Sequence, residues 1–181
     1  IQGAAELLQS PELEDADRIV LCKTVATASQ RMNSLLNDLR RHTIASQSAG
    51  VGACFLTDAM PKIVDLEITC VGGTQIPLAV ADLNAIFVQL IQNAVAHGAD
   101  KMDVVWDGFT LVIADNGEGV ERGNQDRIFD LFFTSRRDTG GTGMGLAVVR
   151  SPLTAQGGQI NLIDTPKGAT FEIKLDSVQS N

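Results

Sequence analysis

Apolar residues recur at alternating spacings of four and three through Leu21, Val25, Ala28, Met32, Leu35 and Leu39. They lie in a stretch from about Asp17 to Arg41, and they form the a/d seam of nearly three heptads, which predicts a helix. Ahead of it, Ile1, Ala5 and Leu8 also have helical spacing, until Ser10-Pro11 breaks the pattern. The two stretches read as a helical hairpin over residues 1–45. One hairpin cannot bury so narrow a seam alone, so the expectation is a dimeric four-helix bundle built from two copies. The alternative is a helix lying on its own domain.

Residues Thr43 to Gly52 (TIASQSAGVG) are small, polar and glycine-containing, and read as a boundary between this hairpin and a second domain over 46–181. Beyond them the apolar period shortens to two. Strands are expected at Gly52–Leu56, Asp65–Val71, Lys101–Trp106, Phe109–Ala114, Gln159–Ile163 and Ala169–Leu175. In the last, Phe171, Ile173 and Leu175 point one way and Thr170, Glu172 and Lys174 the other, the pattern of a strand with one wet face. Asp107-Gly108 is a hairpin signal between two strands. Two helices are expected among the strands. Asp82–Ala96 carries Leu83, Ile86, Leu90 and Ala94 on one face, and Gly145–Gln156 contains Pro152, which should kink it. The fold class is α+β: a two-layer α/β sandwich, helices on one face of a mainly antiparallel sheet, preceded by the helical hairpin.

Composition narrows the function. A net charge of −8 argues against a broad electrostatic grip on nucleic acid or an anionic membrane, so any phosphate must be held by local cations, backbone amides or a metal ion. The three cysteines, Cys22, Cys54 and Cys70, are scattered and read as reduced core thiols of a cytoplasmic protein. No apolar run reaches the length of a membrane span. The chain starts on Ile1 without Met, so it reads as a fragment, with membrane attachment only through a region upstream.

Four local patterns carry chemistry. Gln89 and Asn93 stand four apart on one helix face, opposite the Leu83/Leu90 stripe; two amide oxygens there suit Mg²⁺, or the face is simply solvated. Asp115-Asn116-Gly117-Glu118-Gly119 follows a strand. Its carboxylate can accept a hydrogen bond from an exocyclic amine, with Gly117 and Gly119 admitting a base; an ordinary strand-closing turn is the other reading. Gly140 to Leu146 (GGTGMGL) opens a helix and makes a nest of free amides for an anion, unlike either the dinucleotide or the P-loop fingerprint. Between them, Val120–Thr139 holds Ile128, Phe129, Leu131, Phe132 and Phe133, then Arg136 and Arg137. It reads as a hinged lid whose aromatics also serve the core and whose arginines can reach a terminal phosphate.

In this order and spacing the patterns resemble the Bergerat-type ATP-binding fold shared by DNA gyrase, MutL and the sensor histidine kinases. Gln89–His97 (QLIQNAVAH) looks like the N box, and Asp115–Gly119 like the first glycine box. Phe129–Thr134 (FDLFFT) is similar to the F box, Gly141–Leu146 (GTGMGL) to the second glycine box and Gly168–Phe171 (GATF) to the closing strand. The likeness runs from about residue 52 to 176. It implies ATP and Mg²⁺ as ligands. Asn93 with Gln89 would hold the metal, Asp115 and Thr170 would select adenine, Gly141, Gly143 and Gly145 would cradle phosphates, and Thr142, Met144 and Leu146 would also belong to the ATP site. Arg136 or Arg137 would meet the phosphate charge, and His97 would stack near the nucleotide or pack locally.

The F box, Ile1–Leu8 (IQGAAELL) and Ser34–Arg40 (SLLNDLR) are similar to sensor histidine kinases in particular. Where the hydrolytic relatives carry a glutamate base this chain has Gln89, which cannot activate water and so fits a kinase. The resemblance implies phosphoryl transfer to a histidine and relay to an aspartate of a response regulator receiver domain, with homodimerisation through the hairpin. Three departures are visible. Gln89 replaces the usual Asn, and Ala96 replaces a basic residue three after the N-box asparagine. Neither His42 nor His97 has the surroundings of a phosphoacceptor, which is expected just before Ile1. Alternatives from other classes are a degenerate docking module and a serine kinase of the same fold.

Overall fold

A computed structural model describes residues 16–29, 32, 36, 52–62, 66–136 and 141–175. The first helical stretch and the linker up to residue 51 lie outside them. Residues 16–29 form helix α1. Along it the seam residues Leu21, Val25 and Ala28 are half-buried, whereas Ile19 and Val20 are exposed; the next seam residue, Met32, is exposed.

The remaining elements are α2 (Leu56–Ala59), β1 (Glu67–Val71), α3 (Val80–Ala96), β2 (Lys101–Trp106), β3 (Thr110–Asp115), a 3₁₀ helix (Arg122–Arg127), α4 (Gly145–Ala155), β4 (Gln159–Ile163) and β5 (Thr170–Lys174). The five strands form one sheet in the order β1-β2-β3-β5-β4. Only β1 and β2 pair in parallel, because α3 is the crossover that joins them; the other three pairings are antiparallel. Cross-strand register places Met102, Val104 and Trp106 beside Leu111, Ile113, Ile173 and Phe171 on the face covered by α3 and α4. The opposite face carries Asp103, Val105, Val112, Glu172 and Lys174 and is open. This is the two-layer arrangement expected from the alternation.

Three elements depart from expectation. Gly52–Leu56 is not a ladder strand. Only Cys54 bridges to Ile76, and the chain then turns into α2, which buries Leu56 and Ala59 at helical spacing three. A short run with both Cys54 and Leu56 apolar fits either period until its neighbours are known. The hairpin turn after β2 is also shifted by one residue, to Gly108-Phe109, with Asp107 N–H donating to the Thr110 carbonyl at 3.3 Å. Asp107 Oδ1 accepts the N–H groups of Phe109 (2.8 Å) and Thr110 (2.7 Å), so the turn extends through Phe109 before β3 begins. Helix α3 begins two residues earlier than expected, at Val80.

The end of α3 positions the site. Gly98 N–H donates to the Val95 carbonyl (3.1 Å) and Ala99 N–H to that of Ala94 (2.9 Å), a paired closure with Gly98 left-handed at φ 77°. The closure leaves the carbonyl of His97 free of the helix ladder, and Glu118 N–H takes it at 3.0 Å. The α3 terminus is thereby tied to the loop after β3. Helix α4 runs through Pro152, which is buried, to Ala155, and packs antiparallel contacts back onto α3. Its C-terminal Gln156 Nε2 donates to Asp82 Oδ2 at 3.1 Å near the start of α3.

Candidate functional site

Helix α3, the loop after β3, the lid segment and the start of α4 enclose a cavity of about 600 Å³. That is within the range of nucleotide-sized ligand sites. Of the residues singled out from sequence, Gln89, Asn93, His97, Asp115, Gly119, Arg136, Gly141, Thr142, Gly143, Gly145 and Leu146 line it. Arg137 lies outside the described residues.

Asp115 ends β3 on the helix-facing side, because its cross-strand partner is the buried Met102. Its Oδ1 accepts two backbone N–H groups, from Gly117 at 2.9 Å and from Ala169 at 3.2 Å. Its own N–H donates to the Ala169 carbonyl at 2.9 Å. The carboxylate is therefore held in one orientation at the cavity wall, with its second oxygen available to a ligand donor. The approach of the β4–β5 turn depends on Gly168 (φ 71°). A Cβ there would collide with the carbonyl oxygen of Asp115.

Thr170 is the correction. It pairs with Ala114, on the open face of the sheet, while its neighbours Ala169 and Phe171 line the cavity. Side chains alternate along a strand, so Thr170 cannot share a face with Asp115. The position beside the carboxylate belongs to Ala169, which offers only backbone. Gly117 and Met144 also stand behind the wall. Gly117 is buried against the His97 carbonyl, and Met144, 2% exposed, precedes the first turn of α4.

Asn116 is a residue whose part the sequence reading leaves out. Its Oδ1 accepts the N–H groups of Asp100 (3.1 Å) and Lys101 (3.0 Å), and its Nδ2 donates to Asp100 Oδ1 (2.7 Å). It pins the loop after β3 to the start of β2. Asn within a turn is the visible signal, but a partner 16 positions upstream is not.

The amide pair is not on a solvated face. Gln89 is 6% exposed, turned against the first turn of α4. A Cβ on Gly145 would stand 2.9 Å from Gln89 Oε1 and 3.8 Å from Asn93 Oδ1, so two neutral hard oxygens converge on the space that glycine leaves open. Such a donor set fits Mg²⁺. Among the described residues no group of three or more His, Cys, Asp or Glu side chains could hold a metal.

The lid divides its aromatics. Phe129 packs edge-on against Phe171 (6.4 Å, 77°), with the Arg150 guanidinium 5.8 Å from its ring, and Ile128 is 8% exposed. Phe133 lines the cavity under Arg127, 4.8 Å from its centroid. Leu131 and Phe132 are exposed, outside the core expected for them. Phe132 adopts a left-handed φ of 67° and donates its N–H to the Gly143 carbonyl at 2.8 Å. Gly141 N–H donates to the Arg136 carbonyl at 2.9 Å. The lid tip and the glycine-rich loop are thus laced together. Asp115, Glu118, Glu121 and Arg136 are the ionised residues that border the cavity. His97 Nδ1 lies 3.9 Å from Glu118 Oε2 at the acidic rim.

Comparison with known proteins agrees with this geometry. The histidine kinase-, DNA gyrase B- and HSP90-like ATPase family matches residues 79–179. The alginate biosynthesis sensor protein KinB of Pseudomonas aeruginosa is 26% identical over 189 residues, covering 91% of this chain and 31% of KinB. The sensor histidine kinase CpxA of Escherichia coli K12 is 24% identical over 168 residues, covering 80% of this chain and 36% of CpxA. The chain thus spans about a third of the length of these curated relatives. Among solved structures, the mycobacterial sensor histidine kinase MprB matches with a TM-score of 0.51 at 25% identity, over 61% of this chain and 81% of that one. The Acinetobacter baumannii histidine kinase AdeS shares the fold with a TM-score of 0.63 at 20% identity, over 99% of this chain and 93% of that one. This chain belongs to the histidine kinase-, DNA gyrase B- and HSP90-like ATPase family, and its catalytic domain is of the two-component sensor histidine kinase kind.

Proposed function

We propose that the chain is the core of a sensor histidine kinase that binds ATP with Mg²⁺ and passes the γ-phosphoryl group to a histidine outside residues 1–181. The observation that carries this reading is convergence. A fixed carboxylate, an amide pair and a glycine-rich helix start, drawn from three distant stretches of sequence, border one cavity of about 600 Å³.

Asp115 accepts a hydrogen bond from the adenine six-amino group, and guanine, with an acceptor there, is refused. Asn93 and Gln89 offer their oxygens to Mg²⁺, which neutralises charge building on the phosphates. Gly141, Gly143 and Gly145 let phosphate oxygens approach the positive end of α4, and Arg136, which borders the cavity, meets their charge. In the transfer, the bond from the γ-phosphorus to the β–γ bridging oxygen breaks. A bond to a histidine ring nitrogen forms, ADP leaves and the ring sheds its N–H proton. No residue needs to act as a base towards water, in keeping with Gln89. The protein's part is positioning and charge neutralisation.

On the same reading, residues 1–45 form the dimerising hairpin, residues 46–181 the catalytic domain, and the phosphohistidine is relayed to an aspartate of a receiver domain. Among the described residues no helix is long and apolar enough to cross a membrane. A cytoplasmic position for this part is consistent with that. The decisive experiment is a calorimetric titration. Adenine nucleotide should bind with an affinity raised by Mg²⁺, and GTP should bind at least about tenfold more weakly. Absence of ATP binding in the presence of Mg²⁺ overturns the reading.

A further inference from the structure

Gln89 is 6% exposed, and it borders the cavity. Across the helix interface it faces Gly145, whose missing side chain leaves room for the amide oxygen: a Cβ there would come within 2.9 Å of Oε1. The same Cβ would be 3.8 Å from Asn93 Oδ1. Gly145 is also the first residue of α4, the helix whose start faces the cavity. One contact therefore joins the amide pair on α3 to the anion-attracting end of α4.

We infer that Gln89 and Gly145 are a matched pair, long amide against absent side chain, and that their contact sets how strongly Mg²⁺ promotes nucleotide binding. This rests on the reading of the cavity as a Mg²⁺–ATP site and goes beyond it by making Gly145 a positioning residue for the metal. A methyl group at 145 displaces the Gln89 amide from the space it shares with Asn93 Oδ1. Shortening Gln89 to Asn draws the oxygen back by about one C–C bond, ~1.5 Å. Either change separates the metal donor from the phosphate nest. Made together, they compensate in part, because the shorter amide leaves room for the methyl.

The test is a double-mutant cycle read by ATP affinity, once with Mg²⁺ and once with EDTA, on the chain as it stands. The Mg²⁺ advantage is the ratio of the two affinities. Gly145→Ala and Gln89→Asn are each expected to cut that ratio by about tenfold; Gln89→Asn should shift the EDTA affinity by less than about threefold, whereas Gly145→Ala, which also crowds the phosphate nest, lowers the EDTA affinity as well. The double variant is expected to regain at least about threefold of the ratio. Thermal melting checks that each variant folds. Gln89→Asn, which adds no atom, carries the test if Gly145→Ala does not fold. Strict additivity, or an undiminished ratio in Gln89→Asn, overturns the inference and leaves the nucleotide site standing. Failure of the unaltered chain to bind ATP at all overturns the site itself, and the inference with it.

Discussion

Asp115 Oδ1 accepts the backbone N–H of Ala169 at 3.2 Å, so the carboxylate at the end of β3 is oriented by the main chain of the neighbouring strand's approach. A second N–H, from Gly117, completes the hold at 2.9 Å. An Asn at this position keeps an oxygen that can accept both, but loses the second carboxylate oxygen. Asp115→Asn is therefore expected to leave the melting temperature nearly unchanged while weakening ATP by about tenfold or more, about 1.4 kcal/mol. Asp115→Ala should lose ATP binding and also about 1–3 kcal/mol of stability, because two buried donors lose their acceptor. Nucleotide titration and urea unfolding of both variants separate the two effects.

Gly168 has no room for a side chain, since a Cβ would run into the Asp115 carbonyl, and its φ is 71°. Gly168→Ala should cost about 2–4 kcal/mol in urea unfolding. ATP affinity should fall too, because relief requires the β4–β5 turn to back away from the adenine wall. A folded variant with unaltered stability would contradict this account of the close approach.

Asp82 is 5% exposed in the first turn of α3, and burial raises its pKa, an effect offset only in part by the hydrogen bond from Gln156. The native state thus binds this proton more tightly than the unfolded chain does. Below the unfolded value, 3.8, both states are protonated and Asp82 costs nothing. As pH rises through the raised native value the carboxylate must ionise in place, and stability falls; above it the loss is complete. Asp82→Asn, which can still accept from Gln156, is expected to be more stable than the parent at neutral pH and equal to it in acid. Urea unfolding across that range reads the difference.

Phe132 holds a left-handed backbone that glycine adopts freely. Phe132→Gly and Phe132→Ala both delete the exposed ring, so their difference isolates the backbone term. The glycine variant should be the more stable by about 1 kcal/mol. Equal stabilities in chemical denaturation would mean that the lid tip relaxes out of this conformation and that the Phe132–Gly143 hydrogen bond does not hold it.

Acid should also act at the β2–β3 turn. The N–H groups of Thr110 and Phe109 lower the pKa of Asp107, whose carboxylate caps the turn. A lowered native pKa supports stability above the unfolded value and loses it as pH falls through the native one. Asp107→Ala should remove that acid-side dependence, which the pH profile of unfolding detects.

Much of the site was legible because its signals are local. Gln89 and Asn93 share a face by the geometry of any helix, and the glycines before Leu146 lead into a helix that starts at Gly145, as expected. Asp115 ends its strand within one residue of expectation. The Thr170 error has a different origin. The period-two pattern of residues 169–175 already sets Thr170 with Glu172 and Lys174 on the wet face, and the motif likeness alone drew it into the site. The pairing of Thr170 with Ala114 upholds the alternation.

What the sequence by itself determined is what repeats within one element: the period of α3, the alternation of β2, β3 and β5, the turn chemistry of Asp107, and the order of the motifs. The tertiary structure alone decided which elements meet. It buried Gln89 under Gly145, tied Asn116 back to Asp100, placed Ala169 beside Asp115 and reduced Gly52–Leu56 to a single bridge and a turn of helix. The reason is physical. Side-chain direction follows from the local backbone, which a few neighbouring residues dictate. Contacts between residues 16 to 56 positions apart depend on how whole faces pack, and no local pattern encodes that.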